Sequence, residues 1–472
     1  MRERRRAVIR RALPATVSAG HRVVPDPAVR ATPASERGPS AEWERQPQQE
    51  KEPPVPGTHV GRDTPLVVDT EVAIVGAGAA GLSLAHHLCA PGPGPGGRGP
   101  SRVVLVDAPA GPLRPPERTW CFWEEPGGDW DDLLVRCWDR LRVRGTDGGA
   151  VTGSPGPLRY KMLRSDTFAR AVRERVGAGA VTHLEAAVRG VRDRPDGAEV
   201  LGVTADGRRL LVRARWVFDS RRPLRPPPAR TLLLQHFRGW FLHTERPVFD
   251  PTTVELMDFR VPQPRHGLAF GYVLPLGTHH ALVEYTGFSA APLTAPGYDR
   301  ALRHYVHDVL GIGRYEVTGS EQGVIPMSDG RHRRRAGHSV FRIGAAGGAT
   351  RPSTGYTFAG VQRQTRAVAE ALREGRVPVP PAAYPRRARA MDAVVLRALD
   401  TGRLDGPAFF TELFRTVPTE RLLRFLDGGT HLLEDLGIGL RTPVLPMLRT
   451  VAEIPALARC HAPAGRREGN RP

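Results

Sequence analysis

Three glycines, Gly76, Gly78 and Gly81 in TEVAIVGAGAAGLSLAHHL, carry the first chemistry legible in the chain. Their G-x-G-x-x-G spacing builds a cradle for a pyrophosphate. Gly76 permits a tight turn, Gly78 lets backbone approach an anion, and Gly81 lets a helix pack on a strand. A second apolar strand, Val103 to Val106, ends in Asp107, the carboxylate expected on a ribose hydroxyl. The interval to that acid exceeds the usual ~20 residues, and the insert APGPGPGGRGP accounts for the excess as a surface loop. Farther along, GAAGGATRPSTG sets Gly344, Gly347, Gly348, Ser353, Thr354 and Gly355 ahead of another helix. Two such turns fit a cofactor as long as FAD, one on the ADP diphosphate and one near the isoalloxazine.

Two carboxylates stand inside apolar strand segments, Asp258 in LMDF and Glu284 in LVEYT. Each is either an outward-facing residue of a half-buried strand or an acid held on a cavity wall. Trp120, Phe122 and Trp123 in ERTWCFWEE serve equally as core or as the lining of a ligand tunnel.

The elements that position these groups read as an α/β fold: a Rossmann-type FAD-binding domain with an inserted antiparallel β-sheet for substrate and a helical C-terminal region. Residues 1–66 form a basic, Pro-rich tail too poor in apolar side chains to fold. Residues 67–230 and 331–375 supply the two parts of the FAD-binding domain, and 231–330 the sheet. WVFDS, ending in Asp219 and Ser220, returns the chain to the cofactor sheet. Ser165 is the expected N-cap of a helix that carries Phe168, Ala169, Val172 and Val176 on one face. Phe358, Val361, Thr365, Val368 and Leu372 recur at helical spacing as one buried stripe. Residues 376–472 read as basic amphipathic helices, packed on the cavity or resting on a bilayer.

The 472 residues carry a formal net charge of +19, nearly all from Arg, since Lys51 and Lys161 are the only lysines. With Ala, Gly and Pro also abundant, this is a compositional bias and not a nucleic-acid signature. Cys89, Cys121, Cys137 and Cys460 form no C-x-x-C pair, so neither a metal site nor a disulfide framework is expected. No apolar run reaches the roughly 18 residues of a membrane span, and a cytoplasmic location is expected.

Beyond single motifs, the chain resembles the flavin-dependent lycopene cyclases of carotenoid-making bacteria. The likeness rests on VAIVGAGAAG with LVDA, RTWCFW, YKMLRSDTF, VFDSR, RGWFLHTERPVFDPTTVELMDF, LVEYT, EQGVIPM and RIGAAGGATRPSTGYTFAGVQRQT, with FRTVPTERLLRFL after them. Where flavin hydroxylases usually carry Gly-Asp before the second turn, this chain has Gly344-Ala345, as the cyclases do. The resemblance implies closure of the ψ-ends of lycopene to β-rings, giving β-carotene by way of γ-carotene. It implies Glu284 as proton donor, with Asp258 and Glu321 in reserve, and leaves donor and base unseparated. Reduced FAD would stabilise the carbocation, with NADPH as the flavin's reductant, and the insoluble hydrocarbon implies peripheral attachment at the inner face of the cell membrane. A flavin monooxygenase or an isoprenoid reductase is the alternative on the same fold.

Overall fold

The computed structural model describes residues 64–90, 100, 102–177, 179–223 and 225–461. The N-terminal tail up to residue 63, and residues 91–99 of the Gly/Pro insert, lie outside them.

Strand β1 (Leu66–Val75) runs through the glycine turn into α1 (Ala79–Cys89), and β2 (Val103–Asp107) follows. Next come β3 (Thr119–Glu124), β4 (Arg136–Trp138), β5 (Arg140–Arg144), β6 (Ala150–Gly153) and β7 (Arg159–Arg164). Helix α2 (Ser165–Val176) leads to β8 (Val181–Arg194), β9 (Gly197–Thr204) and β10 (Arg209–Asp219). In this part β1 lies between β2 and β10, parallel to both, with Val75 opposite Val106 on one side and Asp219 on the other. Val72 to Val75 are covered on both faces, which is why the strand is a continuous apolar run and not an alternating one. β8 pairs in parallel with β2 and antiparallel with β9 across the turn RPDGAE, and β9 pairs antiparallel with β10 across TADGRR.

Ser165 is the first residue of α2 and not its cap, a position taken by Arg164. Because β7 enters the helix without a linker, the Ser165 hydroxyl instead accepts the Arg118 backbone N–H at 2.8 Å.

The chain then builds β11 (Leu232–Thr244), β12 (Thr253–Asp258), β13 (Leu268–Pro275) and β14 (His280–Ser289), crosses α3 (Ala295–His304), and adds β15 (Tyr315–Ser328). The sheet has seven strands in the order β15-β11-β14-β13-β12-β5-β6. It is therefore wider than residues 231–330: β5, from inside the stretch expected to bind cofactor, pairs in parallel with the edge of β12 and brings β6 with it. An unpaired edge strand leaves a row of unsatisfied backbone groups, and β5 removes it.

After the short β16 (Val340–Arg342), parallel to β10, the second turn leads into α4 (Phe358–Arg373). Phe358, Val361, Thr365 and Val368 are buried and Leu372 half-buried, the stripe that spacing predicts. The C-terminal helices are α5 (Arg386–Asp400), α6 (Gly406–Thr416), α7 (Thr419–Leu426), α8 (Leu432–Gly439) and α9 (Val444–Glu453). Leu396, Phe409, Leu413 and Leu423 of α5–α7 share one core with Leu268 and Leu282 of the sheet, so these helices pack on the cavity wall.

Candidate active site

Gly76 has φ of +95°, and a Cβ at Gly81 would lie 1.8 Å from the Gly76 carbonyl oxygen, so both positions require glycine for the turn itself. Gly78, the N-cap of α1, is different: nothing lies within 4 Å of its missing Cβ. That open face at a helix N-terminus is where backbone N–H groups meet an anion. Asp107 is held at the same turn, its Oδ1 accepting the Ala77 N–H at 3.2 Å and its Oδ2 3.2 Å from Arg114. Asp219 ends β10 paired with Arg221 at 2.8 Å, and Ser220 donates to the Val75 carbonyl at 2.8 Å, tying β10 to the turn.

The second turn forms part of a cavity of about 610 Å³. Gly347, Gly348, Ser353, Thr354 and Gly355 line it, whereas Gly344 and the first turn do not. Ser353 spends its hydroxyl on Asp392 of α5 at 2.6 Å, and the same carboxylate takes the fully buried Arg351 at 2.9 Å. This clamp fixes the turn between two elements far apart in sequence. The groups present fit FAD: the cradle at Gly78 is open, and Gln235 Oε1 and Thr354 Oγ1, both on the cavity wall, are buried without a hydrogen-bond partner among the described residues.

Trp120, Trp123, Leu256, Leu268, Phe270 and Phe288 make much of the wall apolar, and the seven-stranded sheet sets a polar row into it. Tyr272 on β13 is opposite Glu284 on β14, Glu284 is opposite Gly239 on β11, and Gly239 is opposite Glu321 on β15. Directly opposed residues share a face, so Tyr272, Glu284 and Glu321 all reach the cavity. The two carboxylates stand two strand spacings apart, roughly 10 Å between Cα atoms, with only a glycine between them.

Their surroundings are unequal. Glu284 is buried, accepts one hydrogen bond, from the Thr286 hydroxyl, and is pushed up to about 8 by desolvation and by the Glu321 charge. Glu321 is also raised by burial. It accepts the Thr119 N–H at 3.1 Å and the Thr119 hydroxyl at 2.8 Å, and Arg164 lies 3.3 Å away, all of which favour the carboxylate. Both acids are raised, so what distinguishes them is their partners, and unequal partners on two neighbouring acids are one basis for a donor and an acceptor.

Asp258 stands elsewhere. It pairs with Gly271, one residue before Tyr272, so strand alternation turns it to the opposite face of the sheet. There it is fully buried, held by Arg260 at 2.6 Å and by the Tyr305 hydroxyl at 3.1 Å, and it does not line the cavity.

Sequence reasoning missed several groups that complete the wall. Tyr160 donates to or accepts from Tyr272 and Tyr356, both at 2.7 Å, a three-hydroxyl cluster beside Glu284. Trp123 meets the Tyr356 ring edge to face at 4.5 Å. Thr119, Thr286, Gly239 and Asp392 were equally silent, since each acts through a partner brought in by pairing or packing. Of the aromatic stretch, Trp120 and Trp123 line the cavity, while Phe122 is buried against Phe358.

The fold is shared with p-nitrophenol 4-monooxygenase from Pseudomonas putida, at 16% identity and a TM-score of 0.56 over 77% of this chain and 100% of that one. It is shared likewise with a flavoprotein/dehydrogenase from Cytophaga hutchinsonii, at 11% identity and 0.55 over 81% and 99%. A geranylgeranyl bacteriochlorophyll reductase-like protein from Thermoplasma acidophilum matches at 12% and 0.50 over 82% and 97%. No curated protein sequence matches the chain. The narrower finding is a match to the lycopene cyclase protein family over residues 71–452, a span that takes in both glycine turns and the row from Tyr272 to Glu321, and the chain belongs to that family.

Proposed function

We propose that the protein closes the ψ-ends of lycopene to β-rings, giving β-carotene by way of γ-carotene, without net oxidation or reduction. The observation that carries this reading is the pair Glu284 and Glu321, two acids of unequal environment on one wall of an apolar cavity.

Protonating an alkene requires a carboxylic acid that still holds its proton near neutral pH, and Glu284, pushed up to about 8, meets that requirement. It gives its proton to C2 of the terminal double bond. The cation left at C1 is attacked by the C5–C6 π bond, which forms the C1–C6 bond and moves the charge to C5. Loss of the C6 proton makes the ring double bond, and Glu321, biased toward its anion by Thr119 and Arg164, takes that proton. One proton enters and one leaves, so reactant and product are isomers. Trp120, Trp123 and Tyr272 present ring faces or edges to the same cavity, and each cation–π contact contributes about 0.5 to 2 kcal/mol when desolvated.

Gly76, Gly78, Gly81 and Asp107 hold the ADP portion of FAD in this reading, and Gly347, Gly348, Ser353, Thr354 and Gly355 the flavin end, with Gly344, at φ +64°, starting that turn from behind the cavity wall. Asp219 holds its strand end beside the first turn. Bound and reduced, with NADPH as the reductant, the flavin supplies negative charge that favours the carbocation. Because the substrate has essentially no solubility in water, the protein works in the cytoplasm at the inner face of the cell membrane, attached peripherally. No described helix is long and apolar enough to cross a membrane.

The test is anaerobic turnover of lycopene in D₂O by dithionite-reduced enzyme. One deuterium in each new ring is expected, and in a parallel aerobic assay with NADPH neither NADPH nor oxygen should be consumed in step with ring formation. Deuterium-free product would remove the acid–base mechanism. Stoichiometric NADPH loss would move the protein to a reductase or, with oxygen uptake, to a monooxygenase of the same fold.

A further inference from the structure

Helices α8 and α9 are turned inside out. In α8 the buried residues are Asp435 and Ile438, while Leu432, Leu433 and Leu436 face outward, Leu433 with 82% of its surface exposed. Leu440, just beyond the helix, is 76% exposed. In α9 the buried residue is Thr450, while Val444, Leu445, Leu448 and Val451 are exposed at helical spacing. A helix on a water-facing surface turns its apolar stripe inward, and contiguous exposed apolar surface of this kind marks an interaction site.

The polar faces are what hold the helices down. Asp435 takes Arg387 at 2.7 Å and Glu453 takes Arg397 and Arg403, so both helices are tethered to α5 and its end, at points about 15 Å apart along that helix. Glu434 is likewise engaged by Arg424. Every acidic side chain of the two helices is thus paired with an arginine, while Arg449 and Arg441 stand exposed beside the leucines, Arg441 also donating to the Thr416 carbonyl oxygen. The surface offered outward is apolar with a basic rim.

From this we infer that α8 and α9 dock on an anionic phospholipid bilayer, leucines at the acyl boundary and Arg441 and Arg449 among the headgroups. The inference names the surface for the peripheral attachment proposed above and rests on that reading for its purpose. A contact with a second copy suits the charges less well, because both faces would carry the same basic rim. On their inner side the two helices share a core with the cavity wall. Ile438 and the half-buried Met447 pack in the core that holds Leu268 and Leu423 of the cavity wall, and α5 itself presents Arg389 to the cavity.

The test is flotation of the full chain with phosphatidylcholine vesicles, with and without phosphatidylglycerol, against Leu433→Ser/Leu436→Ser/Leu445→Ser/Leu448→Ser and Arg441→Ala/Arg449→Ala. All six positions are exposed, and thermal unfolding checks that the variants stay folded. Strong binding to anionic vesicles is expected, falling by on the order of tenfold or more in the leucine variant. The arginine variant should weaken binding to anionic vesicles alone. Equal flotation of the leucine variant, no flotation of the natural chain, or a dimer in gel filtration that the leucine changes dissociate would overturn the inference. Lycopene supplied in detergent micelles separates the two readings: a chain that floats but leaves micellar lycopene unchanged sinks the cyclase assignment and not the docking surface.

Discussion

Glu284 and Glu321 occupy one row of the seven-stranded sheet with only Gly239 between them. The missing side chain leaves the end of Leu282 as the nearest group at that point of the row, and although burial raises both acids their partners differ. Glu284 has one hydroxyl partner, whereas Glu321 has an N–H, a hydroxyl and a guanidinium.

Filling the row is the most direct test of that geometry. A Cβ at Gly239 would lie 2.8 Å from Leu282 Cδ1 and 3.6 Å from Glu284 Oε2. The end of a leucine can shift, so Gly239→Ala is expected to fold and keep flavin while turnover falls at least tenfold, since small misplacements of reacting groups cost about that much or more. Full activity in a folded Gly239→Ala protein would show that the gap is not used.

Glu284→Gln keeps the shape of the donor and removes its proton. Turnover is expected to fall by about a hundredfold to ten-thousandfold, the usual contribution of a general acid, with flavin content unchanged. Asp258→Asn, on the opposite face, should spare the chemistry and lower thermal stability, because it weakens the pairing with buried-side Arg260. If Asp258→Asn abolished turnover in stable protein and Glu284→Gln did not, the roles would have to be exchanged.

The pH profile gives a signed test. Glu284 must be protonated to act, so activity should hold below about 8 and decline above it. Thr286→Val removes a hydroxyl that favours the anion and should move this limb to higher pH. Glu321→Gln removes a neighbouring negative charge and should move it to lower pH, whatever it does to the rate. Stability follows the same sign. A carboxyl raised on folding keeps a proton that the unfolded chain releases, so its contribution worsens as pH rises from the usual carboxylate range through about 8. A limb that ignores both substitutions would belong to another group.

For the cofactor, Gly78→Val is informative because the protein itself leaves room for the side chain. Such a variant should melt close to the natural protein stripped of flavin and purify without flavin; retention of full flavin would clear the first turn of its assigned role. Gly81→Val instead strikes the Gly76 carbonyl and should destabilise the fold outright.

The clamp behind the second turn predicts a stability effect with a spectroscopic readout. Asp392→Ala strands a buried Arg351 guanidinium and frees Ser353. Breaking a buried ion pair by removing one partner costs about 3 to 5 kcal/mol, so a large drop in thermal midpoint is expected, together with weakened flavin absorbance. An unchanged midpoint would mean that Arg351 finds another partner.

Local rules carried the sequence reading a long way. The strand, turn and helix around Gly76, the buried stripe of α4 and the strands β11 to β14 follow from periodicity and from what glycine permits, and those act over a few residues. Glu284 could be singled out as an acid in an apolar strand, but Asp258 looked the same, because alternation says which residues share a face and not which face meets a cavity. Only pairing across the sheet put Glu284 in line with Glu321 and turned Asp258 away. Only packing brought Tyr160 to Tyr272 and Asp392 to Arg351, contacts between residues more than 35 apart in sequence. The inverted faces of α8 and α9 were hidden for the same reason: a leucine stripe has the same period whether it meets core or solvent, and only the tertiary structure shows that the side carrying Asp435 and Glu453 is the one that meets α5.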